Sequence, residues 1–242
     1  MGTAIITGAS RGIGRELALR LADCYDNIAI TSYRHTDKLH EVAALIEKKG
    51  CKCYADSGDA GNYDFISHFI SHTAEAFGDH IDLLVNNAGI SYVGLITDMT
   101  DKDFDTIMKT NIYSVFHTCN RVVPYMVRQK SGKILNISSV WGNTGASCEV
   151  AYSASKGAVN AFTKALAKEL APSGICVNAI AYGAIDTEMN QHLSAEDRQL
   201  LINEIPAGKM ATATEAAIFA AHICQASSYL NGQIITFDGA WQ

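Results

Sequence analysis

No run in this sequence approaches the about 20 consecutive apolar residues needed to cross a bilayer, so no membrane partner is expected. Proline is scarce, with three in 242 residues, and 48% of the chain is apolar against 18% charged. That composition excludes a proline-rich linker or a disordered chain and supplies a sizeable core. Basic residues are not in surplus, and the formal net charge of -6 argues against nucleic acid as a partner. The N-terminal MGTAIITG has no basic n-region and no long apolar run, so a cytoplasmic location without a secretory leader is expected. Cys-x-x-Cys is absent. The seven cysteines are an odd number in a chain too long for a disulfide scaffold, which favours reduced thiols. Cys51 and Cys53 fall in an expected strand, where packing is the simpler role than metal binding.

What is present is an alternation. Short apolar runs at 3–7, 28–32, 51–57, 81–86, 133–138, 175–180 and 233–236 read as strands. Amphipathic segments at 12–24, 37–49, 62–77, 101–129, 150–171 and 213–225 read as helices between them. The pattern predicts an α/β fold: one doubly wound, Rossmann-like domain over 1–242, with a seven-stranded parallel sheet and helices on both faces. The stretch at about 184–211 is too long for one tight crossover. It follows the C-terminus of the sixth strand, where ligands bind in such sheets, and is expected to be a substrate flap with a short helix at 195–202. His68 and His72 stand four apart with Asp64 one turn earlier. Phe65, Ile66, Phe69 and Ile70 make this an amphipathic surface helix, and no metal site is expected.

The first strand runs into TGASRGIG. Gly8, Gly12 and Gly14, with Ser10, Arg11 and Ile13 among them, form a tight turn that opens a helix. Glycine lets backbone approach a pyrophosphate, and the helix start presents free amides and a positive dipole end. In an NAD site the second strand usually ends in a carboxylate that binds the ribose hydroxyl. Here that strand is followed by Ser32, Tyr33 and Arg34. Arg11 and Arg34 with the Ser32 hydroxyl suit a 2′-phosphate, so NADP(H) is the expected cofactor. Asp59 and Ala60, after the third strand, are placed to meet the adenine. Asn87, Ala88 and Gly89, in the NNAG that follows the fourth strand, leave room for the cofactor.

Tyr152 and Lys156 lie four residues apart at the start of a helix and so share one face. Reducing a ketone needs a hydride and a proton. A phenol titrating near ~10 is a poor acid at neutral pH, and a nearby ammonium lowers that value. Ser138 and Ser139 both end the fifth strand, and alternation sends them to opposite faces.

TGASRGIG, NNAG, Asn111, Ser139 and Tyr152-x-x-x-Lys156 occur in the order of the short-chain dehydrogenase/reductase family. The chain resembles that family over its whole length, and most closely the 3-oxoacyl-[acyl-carrier-protein] reductases. The resemblance implies catalytic roles. Tyr152 is the general acid, Lys156 the pKa modulator and cofactor clamp, and Ser139 the donor to the substrate carbonyl. Asn111 bends its helix and holds a water near the lysine. Ile185 and Thr187 match positions that contact the carboxamide and the phosphate. The implied function is NADPH-dependent reduction of a 3-oxoacyl thioester by a homotetramer. The chain departs from the family where Tyr182 replaces a usual proline, and Tyr182 is expected to reshape the nicotinamide pocket. It departs again where Ser173 stands in one of two basic positions that would meet an acidic carrier, beside Lys130 and Arg128. A small-molecule ketone therefore stays open next to a carrier-bound one. So do an NADP-dependent alcohol or sugar dehydrogenase and a non-catalytic dinucleotide sensor.

Overall fold

Apolar, β-branched runs separated by amphipathic segments fold here as alternating strands and helices. The computed structural model describes residues 2–191 and 193–242. The strands are β1 (Thr3–Thr7), β2 (Asn27–Ser32), β3 (Lys52–Ser57), β4 (Leu83–Asn86), β5 (Gly132–Ser139), β6 (Ile175–Tyr182), β7 (Ile185–Asp186), β8 (Ala211–Thr212) and β9 (Ile234–Phe237). The helices are α1 (Gly12–Leu21), α2 (Thr36–Lys48), α3 (Tyr63–Phe77), α4 (Asp101–Met108), α5 (Ser114–Gln129), α6 (Trp141–Thr144), α7 (Val150–Leu170), α8 (Ala195–Glu204) and α9 (Ala213–Gln225).

Seven strands form one parallel sheet in the order β3-β2-β1-β4-β5-β6-β9. Leu17, Leu39, Val42 and Ala216 of α1, α2 and α9 cover one face; Ile66, Phe69, Val122 and Val159 of α3, α5 and α7 cover the other. Central β1 is buried at every residue, which explains its apolar centre Ala4–Ile6, and its terminal Thr3 and Thr7 are buried with their hydroxyls hydrogen-bonded. The strand order reverses between β1 and β4, so a crevice opens at the C-terminal ends of the strands.

The seven expected strands appear with small shifts. β4 begins at Leu83 rather than Ile81, because the Gln129 side chain takes both backbone groups of Ile81, at 3.2 and 2.7 Å. β6 runs on to Tyr182, which pairs with Ser139 on one side and Phe237 on the other. The helix expected over 101–129 is interrupted by a π-helical turn at Lys109–Tyr113. A short parallel pair, Ile185↔Ala211 and Asp186↔Thr212, was not foreseen, and it closes the base of the 184–211 segment. Within that segment α8 is capped by Ser194, whose hydroxyl accepts from Asp197 N at 3.1 Å. Among the described residues, no helix is long and apolar enough to cross a membrane.

Candidate active site

The β1–α1 turn is shaped by what cannot fit beside it. A Cβ on Gly14 would lie 2.3 Å from the Gly8 carbonyl oxygen, and one on Gly8 would lie 2.9 Å from Ala88 Cα. Gly8 also has φ +67, in the left-handed region that favours glycine. Asn87 braces the turn: its Nδ2 donates to the carbonyls of Thr7 and Gly8, each at 3.0 Å. The Thr7 hydroxyl accepts from the amides of Asn87 and Ala88. Arg11 caps α1 in an extended conformation without a side-chain hydrogen bond, which leaves the first amides of the helix open to an anion.

Beside this turn lies a cleft of about 390 Å³, with Ser10, Arg11, Gly12, Arg15, Lys38 and Thr187 in its lining. Thr187 sits over Gly12, 3.5 Å from where a Cβ would stand. Arg15 pairs with Glu16, and Lys38 with Glu188 at 3.8 Å. Among the described residues Arg11 forms no ion pair. Ser32 is buried, and its hydroxyl has no partner among the described residues. A backbone cradle too tight for a side chain, a free guanidinium and an orphaned hydroxyl fit a dinucleotide.

The other expected cofactor residues divide. Arg34 is exposed, 5.5 Å from the centre of the Tyr33 ring, and is not part of the cleft lining. The Asp59 carboxylate is engaged by Gly61 N at 2.8 Å and Lys109 at 3.0 Å, so the backbone around Asp59 and Ala60 is what remains for an adenine. Ile13 and Ile185 belong to the apolar layer under α9, which leaves their main-chain groups for any cofactor contact. Lys38 and Arg15 were not anticipated. Their basic type at the start of α2 and in the first turn of α1 was the available signal.

At the reacting end the structure gathers residues from four elements. Tyr152 and Lys156 stand one turn apart on α7, with the ammonium 5.7 Å from the phenol ring centre. Ser139, at the end of β5, lies against the phenol and accepts from Trp141 N at 3.2 Å. Asn111 sits at the centre of the π turn and is 1% exposed. Its Oδ1 accepts from Ile90 N at 2.8 Å, and its Nδ2 donates to Ile90 O and Ser155 Oγ, each at 2.9 Å. Three side-chain bonds on one buried amide account for the bulge in the helix. A Cβ on Gly89 would lie 3.4 Å from both Asn111 Oδ1 and Lys156 Nζ, so the NNAG turn joins the same group.

Electrostatically, burial dominates this pocket. It pushes the Tyr152 phenol up to about 12, and the Ser139 hydroxyl bond opposes that rise. Burial also drives the Lys156 ammonium down to about 8. The lowering of the phenol by the lysine, expected from the sequence, is not what governs this arrangement. The ammonium is tied to the Ile137 carbonyl at 2.8 Å and is itself poorly solvated.

The expectation for Tyr182 is corrected. Its side chain is 4% exposed, its hydroxyl donates to the Ala216 carbonyl of α9 at 2.6 Å, and its ring meets Phe237 edge-on. It fills the layer between sheet and α9 rather than the reaction pocket. Ser138 turns away from Ser139, as alternation requires, and donates to Asn160 Oδ1 at 2.6 Å. The His68 and His72 rings lie 3.9 Å apart. Among the described residues, no group of three or more His, Cys, Asp or Glu side chains is gathered to hold a metal.

A glycine turn linked through Asn87–Gly89 to a serine, tyrosine and lysine at the crevice is an arrangement suited to an oxidoreductase. The family profile described as short chain dehydrogenase matches residues 2–198. The chain is 37% identical over 241 residues to "Uncharacterized oxidoreductase YmfI" of Bacillus subtilis, covering 99% of this chain and 98% of that one. It is 36% identical over 238 residues to the Staphylococcus aureus 3-oxoacyl-[acyl-carrier-protein] reductase FabG, covering 98% and 96%. Among solved structures, a short-chain type dehydrogenase/reductase from Mycobacterium marinum matches with TM-score 0.93 and 35% identity, over 100% of this chain and 95% of that one. An actinorhodin polyketide ketoreductase with NADPH matches with TM-score 0.92 and 28% identity, over 99% and 97%. The protein belongs to the short-chain dehydrogenase/reductase family and is an oxidoreductase of that family.

Proposed function

We propose that the protein is an NADPH-dependent carbonyl reductase that converts a 3-oxoacyl thioester to its 3-hydroxyacyl form. The observation that carries the reading is the meeting of Ser139, Tyr152, Lys156 and Asn111 against the Asn87–Gly89 turn that braces the glycine turn. The similarity to a 3-oxoacyl-[acyl-carrier-protein] reductase and to a polyketide ketoreductase supports the choice of substrate class.

Gly8, Gly12, Gly14 and the amides that open α1 would hold the pyrophosphate, with Ser10 and Thr187 at its edge. Arg11, Ser32 and Arg34 would hold the 2′-phosphate, and Asp59 and Ala60 would border the adenine. Asn87, Ala88 and Gly89 would line the floor, with Ile13 and Ile185 contributing backbone. When bound, dihydronicotinamide supplies the hydride. Ser139 donates to the ketone oxygen and aligns it with Tyr152. Tyr152 transfers its proton to that oxygen as negative charge develops there. A phenol held near 12 keeps this proton throughout the neutral range. Lys156 keeps a positive charge beside the forming phenolate and reaches towards the ribose. Asn111 fixes the approach of solvent protons to Lys156.

The 184–211 segment acts as the substrate flap of a single domain, supported by the β7–β8 pair that anchors both its ends beside Thr187. A homotetramer built through α4, α5 and α7 fits the exposed apolar Tyr113, Phe116 and Val127. Seven free thiols suit a cytoplasmic enzyme. One observation favours a thioester without a carrier. Ser173 is uncharged where the family resemblance implies a second cation, and the neighbouring Gly174 packs against the Lys130 carbonyl. An NADP-dependent alcohol dehydrogenase shares all these groups and differs only in direction.

The test is loss of NADPH absorbance with 3-oxoacyl thioesters on carrier protein and on coenzyme A, against sugar and steroid ketones and with NADH in parallel. Tyr152→Phe should bind NADPH with unchanged affinity and lose at least about 100-fold in kcat. Full activity in that variant, or NADPH binding without turnover across the panel, overturns the reading.

A further inference from the structure

Tyr152, Lys156 and Asn160 follow one another at four-residue steps along α7. Asn160 is 6% exposed, and both ends of its amide are engaged. Its Oδ1 accepts from Ser138 Oγ at 2.6 Å, and its Nδ2 donates to Asn143 Oδ1 at 2.9 Å. Ser138 immediately precedes Ser139, and Asn143 lies in α6, four residues beyond it. One amide therefore grips the chain on both sides of Ser139, from the helix that carries the tyrosine and the lysine.

The contact is close. A Cβ on Gly142 would lie 2.7 Å from Lys156 C and 3.0 Å from Asn160 Nδ2, so α6 rests directly on α7. From α6, Trp141 N donates to Ser139 Oγ at 3.2 Å. This occupies an acceptor site on the hydroxyl and leaves its proton to be donated elsewhere. The position of Trp141 N thus sets the direction of the Ser139 hydroxyl, and Asn160 holds α6 through Asn143.

We propose that Asn160 is a positioning residue that fixes Ser139 relative to Tyr152 and Lys156, and this rests on the carbonyl-reductase reading above. It touches neither ketone nor cofactor. Its chemistry is specific, because it must accept from one side of the loop and donate to the other. Aspartate retains the first bond and loses the second, whereas leucine keeps the volume and loses both.

The experiment compares Asn160→Leu, Asn160→Asp and Asn143→Ala with the native enzyme and Tyr152→Phe. Each is measured for kcat and KM with the best ketone, NADPH affinity by cofactor fluorescence, and tryptophan emission. The chain has two tryptophans, and they meet edge-on, Trp141 in α6 and Trp241, with ring centres 4.8 Å apart. Emission therefore reports α6 directly. Asn160→Leu should lower kcat about 10- to 100-fold, leave NADPH affinity within about twofold, and shift the emission. Asn143→Ala changes an exposed residue and decides the matter if Asn160→Leu does not fold; it and Asn160→Asp should show smaller losses of the same kind. Native kcat and emission in Asn160→Leu, or in Asn143→Ala if the former does not fold, overturn the inference, as does a kcat loss matched by lost NADPH binding. If Tyr152→Phe is inactive while Asn160→Leu is native-like, only the positioning role fails. If Tyr152→Phe is fully active, the reaction assignment fails, and unshifted emission in the Asn160 variants still overturns the grip on α6.

Discussion

Replacing Lys156 by methionine separates what this lysine costs the fold from what it does in the reaction. Lys156 is 4% exposed, and burial drives its ammonium from an ordinary 10.5 to about 8. Below pH 8 the lysine is protonated in both the folded and the unfolded chain, and the folded state carries the full cost of burying that charge. Between about 8 and 10.5 the unfolded chain still binds the proton and the folded chain does not, so stability rises with pH through this window. A shift of this size corresponds to roughly 3 kcal/mol, set against a typical total stability of about 5–15 kcal/mol. Methionine preserves an unbranched apolar stem without the charge. It leaves the Ile137 carbonyl without the bond now made at 2.8 Å, at a cost of about 1 kcal/mol at every pH.

Urea unfolding of both proteins at pH 7 and pH 10.5 makes the comparison, and groups common to both, Tyr152 included, cancel in the difference. At pH 7 the variant should be the more stable by about 2 kcal/mol, the lysine's cost less the lost hydrogen bond. By pH 10.5 the native protein should recover the whole of that deficit and become the more stable by about 0.5 kcal/mol, since most of the burial cost is gone and the hydrogen bond remains. Ketone reduction should be lost in the variant at both values. A difference that stays flat with pH, or a native protein that loses ground as pH rises, would show that Lys156 is not a destabilising buried charge.

Tyr182→Phe should destabilise by about 1 kcal/mol and lower Tm by about 2–4 °C, because the Ala216 carbonyl loses its phenol donor. Calorimetry with parallel kinetics checks this; a fall in kcat without a fall in Tm would place the phenol in the pocket after all. Gly14→Ala puts a Cβ 2.3 Å from the Gly8 oxygen and should cost about 3 kcal/mol. NADPH titration should show cofactor binding lost with it, and a native Tm would contradict the packing described. Arg11→Ala should weaken NADPH binding more than Arg34→Ala and leave NADH unaffected, because only the first guanidinium lines the cleft. Equal effects on both cofactors would show that neither arginine meets a 2′-phosphate.

The layer architecture and the parallel sheet were legible in the chain before folding was considered. Period and composition encode which residues are buried, and parallel strands buried on both faces, such as β1, are apolar through their centres. The glycine turn and the Tyr152–Lys156 pair were legible too, because both depend on residues close together in the chain. The remaining features depend on contacts between segments far apart in the chain. Asn111 was legible as a mid-helix polar residue, but the π turn exists because Ile90 and Ser155, distant in sequence, bind its amide. Tyr182 looked like a pocket residue until α9 supplied a carbonyl for its hydroxyl. The sign of the Tyr152 shift follows from how much water the folded pocket excludes, which no local spacing encodes. Asn160 lay in plain view at the next four-residue step after Lys156. Its role appears only when β5 and α6 are brought against the same helix, since a hydrogen bond is a property of where two distant groups end up.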